Sequence, residues 1–308
     1  MSTAIAFVGL GNMGGPMAAN LVAAGHRVTG YDLVPEALER ARESGVRIAA
    51  SPAEAVADAD VVITMLPSGP HVLACYRGSA GLLAAAPAGA VFVDCSTIDV
   101  ADAHAAHEAV GASGRRSLDA PVSGGVVGAV AGTLTFMVGA ADEDFAAVEP
   151  VLTAMGRRVV HCGPPGAGQA AKICNNLILG VTMIAVSEAF VLGEQLGLSH
   201  QALFDVASAA SGQCWALTTN CPVPGPVPGS PADHDYRPGF AAALMAKDLR
   251  LAANAIRAGG VSAELGLHAA EVYTAFAENG GAERDFSAVI HSIRDHADTG
   301  ANEGNRTT

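Results

Sequence analysis

Positive charge is scarce in this sequence. Among 308 residues, Lys and Arg number 17 against 30 Asp and Glu, for a formal net charge of -13. No run of Lys and Arg stands out against that total. Such a chain repels phosphate backbones, which argues against nucleic acid as a partner. Charged residues of both signs make up only 15%, while half of the chain is hydrophobic. That balance excludes wholesale disorder and supports large packed cores. The cysteines Cys75, Cys95, Cys162, Cys174, Cys214 and Cys221 form no C-x-x-C pair and match no zinc spacing. Free thiols in a reducing cytosol are the simplest reading, and no metal site is expected. The N-terminus lacks the basic segment of a signal peptide, and Gly9 and Gly11 break its apolar run early. The most apolar stretch, Leu177 to Val186, is closely followed by Glu188 and is too short for a membrane span. A soluble cytoplasmic protein of about two domains is expected.

The first half alternates short apolar runs with helical stretches. Ala4 to Val8, Arg27 to Asp32, Val46 to Ala49, Val61 to Leu66 and Val91 to Cys95 read as strands, bounded by Pro, Gly, Asp or Ser. Runs apolar on both faces, separated by helices, predict a parallel sheet covered on both sides. Leu118 to Val122, Leu134 to Val138 and Arg158 to His161 read as later strands, the last two running antiparallel at the sheet edge. After Gly163-Pro-Pro-Gly-Ala-Gly168, strand signals nearly vanish. Gln169 to Gln195 has the length of a helix of roughly 40 Å, apolar almost all round and so expected to be buried on most sides. Further helices fit about His200–Ala210, Phe240–Ala258, Ala263–Glu278 and Ser287–Ala297. The Pro/Gly-rich stretch from Cys221 to Pro238 reads as a long structureless loop, a kind that is more often functional than accidental. The domains are expected at 1–163 and 164–298, with a frayed polar tail over 299–308.

Gly9-Leu-Gly-Asn-Met-Gly14 fits G-x-G-x-x-G where it carries meaning, after a strand and opening a helix. The glycines allow a tight turn and close approach to a pyrophosphate, and the helix start offers free N–H groups. Asp32 ends the second strand about twenty residues past Gly11, where a carboxylate accepts from an adenosine ribose. A 2′-phosphate there would meet a like charge at a cost of about 4 kcal/mol per pair at 4 Å. No Lys or Arg just after Asp32 offsets it, so NAD is expected rather than NADP. Leu66-Pro67 and Ser96-Thr97 end later strands on the same edge. They suit either cofactor contacts or ordinary loop starts.

Lys172, Asn175 and Asn176 have i, i+3, i+4 spacing and share a helix face. They suit either a catalytic cleft or a structural polar network. Asp119-Ala-Pro-Val-Ser-Gly-Gly125 suits an anion cradle or a plain turn. Lys247-Asp248 suits a surface charge pair or a functional one. His104, His107 and Glu108 read as a solvated helix face.

Together these residues resemble the β-hydroxyacid dehydrogenases over nearly the whole chain. Gly9 to Leu21 resembles the family's cofactor signature, and Asp119 to Gly125 its substrate motif. Gly166 to Asn176 resembles its catalytic helix, and Lys247-Asp-Leu249 its late cofactor motif. The resemblance implies an N-terminal Rossmann domain, a doubly wound parallel sheet, followed by an all-α C-terminal domain, with the long helix bridging them. It implies NAD as cofactor, a small hydroxy acid as substrate, and a homodimer or homotetramer. Lys172 becomes the catalytic residue. Ser123, Gly124, Gly125 and Asn176 become substrate contacts. Gly9, Gly11, Asn12, Met13, Gly14, Asp32, Leu66, Pro67, Thr97 and Lys247 become cofactor contacts. Cys214-Trp215, Asn220 to Gly225 and Gly239 to Leu249 resemble one subgroup, which acts on a methyl-branched 3-hydroxy acid. Trp215 and Phe240 are its candidate methyl-accepting wall. His71 stands where eukaryotic members of that subgroup place an asparagine against the cofactor; their mitochondrial leader has no counterpart here. A lysine at its ordinary pKa of about 10.4 is a poor base at neutral pH, and burial or a second cation corrects that. The rivals are a related reductase of tartronate semialdehyde or another short hydroxy acid, and a non-catalytic dinucleotide-binding relative. A 6-phosphogluconate enzyme would need cationic phosphate anchors and a longer chain.

Overall fold

The computed structural model describes residues 2–78 and 81–295. The expected tail over 299–308, and residues 296–297 of the last expected helix, lie outside them. The described residues form two compact units, divided between Lys172 and Ile173.

The first unit alternates strand and helix through β1 (Ala4–Val8), α1 (Gly14–Ala23), β2 (Arg27–Tyr31), α2 (Pro35–Glu43), β3 (Arg47–Ile48), α3 (Pro52–Val56), β4 (Val61–Thr64), α4 (Gly69–Tyr76), α5 (Leu82–Ala85) and β5 (Val91–Asp94). It continues through α6 (Val100–Ala112), β6 (Arg116–Asp119), β7 (Val122–Ser123), α7 (Gly125–Ala131), β8 (Leu134–Gly139), α8 (Asp142–Thr153), β9 (Gly156–Gly163) and the start of α9 (Ala167–Gln195). The strand order is β3-β2-β1-β4-β5-β6-β8-β7, with β9 on β8. β1 to β6 are mutually parallel, which makes a doubly wound Rossmann sheet with its switch point between β1 and β4. β8 pairs antiparallel with β6, and β9 runs parallel to β8. Both therefore oppose the main sheet direction, as their sequence position suggested. The expected strand Leu118–Val122 is split. Pro121 has no N–H to donate, and β7 departs beyond it to pair with β8.

Every residue of β1, β4 and β5 is buried. Alternate side chains feed two cores: Ile5, Phe7, Ile63 and Val93 on one face, Ala6, Val8, Val62 and Phe92 on the other. This explains why these strands read as continuous apolar runs rather than as an alternating pattern.

The second unit holds the rest of α9, then α10 (His200–Ala209), α11 (Trp215–Thr218), α12 (Ala242–Gly259) and α13 (Glu264–Phe276), with a final helix over 289–295. Its core includes Met183, Phe190, Met245, Leu249, Tyr273 and Phe286. Small residues bring helices together. A Cβ on Gly180 would lie 2.9 Å from Leu249, and one on Gly266 would lie 3.1 Å from Ile256. The burial expected almost all round α9 is corrected: Ala170, Cys174, Ile178, Ala185, Ala189 and Leu192 form an exposed stripe at helical spacing. By length and composition α9 could cross a membrane, although the run from Leu177 to Val186 is too short by itself. Here Met183, Ile184, Phe190 and Val191 of α9 pack into the unit's core.

The stretch from Cys221 to Pro238 is organised rather than structureless. Cys221, Pro222 and Val223 are buried. A 3-10 turn forms over Pro231–His234, Asp233 accepts from the Gly225 N–H at 2.9 Å, and Tyr236 Oη donates to the Pro222 carbonyl at 2.7 Å. Beyond it, buried Asp285 accepts from Asn220 Nδ2 and from the N–H groups of Gly239, Phe240 and Ser287, each at 3.1 Å. These bonds replace the ladder that a Pro-rich segment cannot form.

Candidate active site

The first unit gathers its candidate residues at the carboxyl edge of the sheet. β1 runs into Gly9, whose φ of 96° is one that L side chains rarely adopt. A Cβ there would collide with the Met65 carbonyl. A Cβ on Gly14 would collide with the Gly9 carbonyl and lie 2.9 Å from the Phe7 ring, so this glycine lets α1 pack onto β1. Gly11 differs from both. It is exposed, and a Cβ there would meet nothing within 4 Å. The protein gives no packing reason for this glycine, whereas a ligand passing over the turn does. Asn12 and Met13 complete the turn, and Met13 offers α1 no side-chain cap. The Gly15 N–H already donates to the Gly11 carbonyl at 3.0 Å and Pro16 has no N–H, so a pyrophosphate is left the glycine turn itself and the positive end of the α1 dipole. Asp32 follows β2. Its Oδ2 accepts from the Leu10 N–H at 2.6 Å and its Oδ1 from the Val34 N–H at 2.8 Å. Each oxygen keeps a lone pair for a ribose hydroxyl. The residues present fit a dinucleotide.

Leu66 and Thr97 follow β4 and β5, and the Leu66 N–H donates to Ser96 Oγ at 2.8 Å. Pro67 is exposed. His71 is exposed in α4, with Nδ1 2.7 Å from Ser68 Oγ. Behind this rim lies a network the sequence reading missed. Asp94 is buried, and its Oδ1 accepts from Ser96 Oγ at 2.6 Å and Thr64 Oγ1 at 2.8 Å, while Tyr76 Oη lies 3.0 Å from Thr64 Oγ1. Burial pushes the Asp94 carboxyl up to about 6, against the downward pull of its bonds from Ser96 and Thr64. Two residues inside the recognised motifs have roles that the sequence left unassigned. Asp119 Oδ1 accepts from the Gly166 N–H at 2.6 Å and its Oδ2 from the Gln169 N–H at 2.8 Å, so it caps the start of α9. Gln169 is fully buried. Lys172 follows it on α9 and is itself only 7% exposed. Ser123 is half-buried at the end of β7. Gly124 (φ 131°) and Gly125 (φ 60°) turn the chain into α7.

In the second unit, Asn176 is buried and its Nδ2 donates to Asp248 Oδ2 at 2.5 Å. Asp248 Oδ1 lies 3.1 Å from Lys247 Nζ. One buried carboxylate therefore joins a residue expected at the substrate to one expected at the cofactor. The surface-pair alternative for Lys247-Asp248 fails, since Asp248 is 4% exposed. Asn175 is exposed and donates to Asn176 Oδ1 at 3.0 Å, so the shared face reduces to Lys172 and Asn176. Trp215 is half-exposed at the start of α11. Phe240 is half-buried against Phe286, their centroids 5.7 Å apart. The solvated face expected for His107 is corrected: its Nδ1 lies 2.8 Å from Ser117 Oγ of β6. Among the described residues, no group of three His, Cys, Asp or Glu is placed to hold a metal ion. One signal in composition would have singled out the site. The chain holds two lysines, Lys172 and Lys247.

Residues 4–163 match the family described as the NAD binding domain of 6-phosphogluconate dehydrogenase. Residues 166–293 match the one described as NAD-binding of NADP-dependent 3-hydroxyisobutyrate dehydrogenase. A probable 3-hydroxyisobutyrate dehydrogenase of Mycobacterium bovis is 56% identical over 296 residues, 96% of this chain and 99% of that one. The NAD-dependent L-serine dehydrogenase of Pseudomonas aeruginosa is 47% identical over 285 residues, 92% of this chain and 96% of that one. The solved structure of Mycobacterium tuberculosis 3-hydroxyisobutyrate dehydrogenase with L-serine has a TM-score of 0.91 at 56% identity, covering 96% of this chain and 100% of that one. With the glycine turn and Asp32 in place, these likenesses define an oxidoreductase that uses a nicotinamide dinucleotide. The chain belongs to the 3-hydroxyisobutyrate dehydrogenase family.

Two expectations follow. Gly11→Ala should leave the melting temperature near wild type, because nothing crowds its Cβ, yet weaken NADH binding about tenfold or more, a loss of about 1.4 kcal/mol. Fluorescence titration checks this; unchanged affinity would remove the dinucleotide from this turn. Asp94 gives a pH signature. Its folded pKa lies above the unfolded value, so between about pH 4 and 6 the folded chain holds a proton that the unfolded chain has released. Stability is therefore lost as pH rises through that window, by about 3 kcal/mol. Asp94→Asn has no such titration. In urea unfolding, wild type should gain about that much on the variant between pH 7 and pH 4, and a constant difference would disprove the effect.

Proposed function

We propose that this protein oxidises 3-hydroxyisobutyrate to methylmalonate semialdehyde with NAD, as a step of valine breakdown, and that it is a soluble cytoplasmic enzyme. The observation that carries the reading is Lys172, an amine only 7% exposed in the Gly166–Asn176 stretch that resembles the family's catalytic helix. When bound, the nicotinamide ring supplies the hydride acceptor. Lys172 takes the hydroxyl proton from the alcohol and returns it to the forming alkoxide in the reverse direction. Ser123 and the Gly124–Gly125 backbone hold the substrate carboxylate. Asn176 has one amide hydrogen on Asp248 and a second left to donate to substrate. Asp248 thereby orients the Asn176 amide and neutralises Lys247. Asp32 favours NAD by opposing a 2′-phosphate.

The homodimer or homotetramer belongs to this proposal, supported by the exposed apolar side chains Ile178 and Leu265. A 6-phosphogluconate enzyme would need cationic phosphate anchors, and of the two lysines of the chain Lys247 pairs with Asp248. L-serine is the second reading, favoured by the relative named for that substrate and by the related structure holding it. The two acids share the carboxylate and the 3-hydroxyl and differ by a methyl against an ammonium on one carbon. Trp215 and Phe240 favour the methyl.

NADH absorbance on mixing protein, NAD and each acid separates these readings. 3-Hydroxyisobutyrate should give a higher kcat/KM than L-serine, D-glycerate or 3-hydroxypropionate, and NAD a higher value than NADP. Lys172→Ala should lower kcat about 10²–10⁴-fold while NADH binding persists. Turnover near wild type in that variant would overturn the assignment.

A further inference from the structure

None of the roles above uses the side chain of Gln169, although it is completely buried. Its Nε2 donates to the Ser96 carbonyl at 2.7 Å, and its Oε1 accepts from the Ile98 N–H at 3.1 Å. These two residues flank Thr97. A backbone carbonyl only accepts and a backbone N–H only donates, so one orientation of the amide satisfies both. A carboxylate fails at the carbonyl, and an apolar chain of the same length fails at both. The Gln169 backbone is anchored as well, through its N–H on Asp119 Oδ2. Lys172 follows at i+3, on the same helix face and about 4.5 Å further along the axis. Asp94 takes the Ser96 N–H and hydroxyl, and Gln169 takes the complementary groups on the α9 side.

We infer that Gln169 is a positioning residue. Its amide holds segment 96–98 in register with the first turns of α9, which sets the cofactor contact Thr97 at a constant distance from the proton acceptor Lys172. This rests on the roles proposed above for those two residues. A purely structural amide would contribute to folding and leave kinetics alone; a positioning amide also governs the chemical step, because a displacement of about 1 Å at reacting groups costs about 10²-fold in rate.

The test is Gln169→Leu, which removes both bonds at similar volume, assayed where circular dichroism shows the variant folded. With NAD and 3-hydroxyisobutyrate, kcat should fall about 10²-fold. The KM for the acid should change far less, because the Ser123–Gly125 cradle is untouched. The Kd for NADH should rise about tenfold. Gln169→Glu keeps the acceptor for Ile98 and loses the donor to Ser96, and it carries the same test if the leucine variant does not fold. A folded variant with wild-type kcat overturns the inference, whatever its melting temperature. If the wild type itself oxidises no 3-hydroxy acid, the proposed substrate fails instead. The NADH affinity of the variant then decides the clamp alone, unchanged affinity refuting it.

Discussion

The two bonds from Asp119 to the N–H groups of Gly166 and Gln169 determine where α9, the helix of Lys172, begins. A helix leaves its first N–H groups without internal partners. A carboxylate satisfies them and places negative charge at the positive end of the helix dipole. Asp119 closes β6, so the cap ties the start of α9 to the carboxyl edge where the candidate cofactor residues lie. The chain makes room for it. A Cβ on Gly168 would sit 2.8 Å from Asp119 Oδ2, and one on Gly139 would collide with Asp119 Oδ1. Burial pushes the Asp119 carboxyl up, while the two backbone bonds pull it down.

The same device recurs. Asp94 holds Ser96, Asp248 joins Asn176 to Lys247, and Asp285 gathers the backbone around Gly239 and Phe240. Each is a carboxylate with little exposure in an otherwise apolar setting. Such a group is costly unless its oxygens are used; both oxygens of Asp285 accept hydrogen bonds, whereas those to Asp94 all fall on Oδ1 and its Oδ2 has no hydrogen-bond partner. In this chain each use fixes a loop or helix that carries a candidate site residue. The apolar cores supply bulk stability, and the buried acids set local geometry.

Legibility followed the range of the interaction. The parallel strands were plain because burial on both faces leaves unbroken apolar runs. The glycine turn was plain because its backbone requirements are local. The break between β6 and β7 was masked, since Pro121 sits inside an apolar run and its effect depends on β8. Asn175 and Asn176 look equivalent by spacing, yet one is exposed and the other buried. Their difference lies in Asp248, 72 residues from Asn176. The stretch 221–238 looked structureless because its order comes from Asp233, Tyr236 and Asp285, contacts that no period reveals.

Residue order alone determined the strand–turn–helix opening, the run of buried strands, the carboxylate after β2 and the lysine on the long helix. All of these arise from chemistry within a few residues of chain. Tertiary structure alone decided which acids became buried hubs, which asparagine turned inward and what the Gln169 amide grips. Those outcomes depend on partners brought together by folding, and a hydrogen bond acts over about 3 Å of space whatever the separation along the chain.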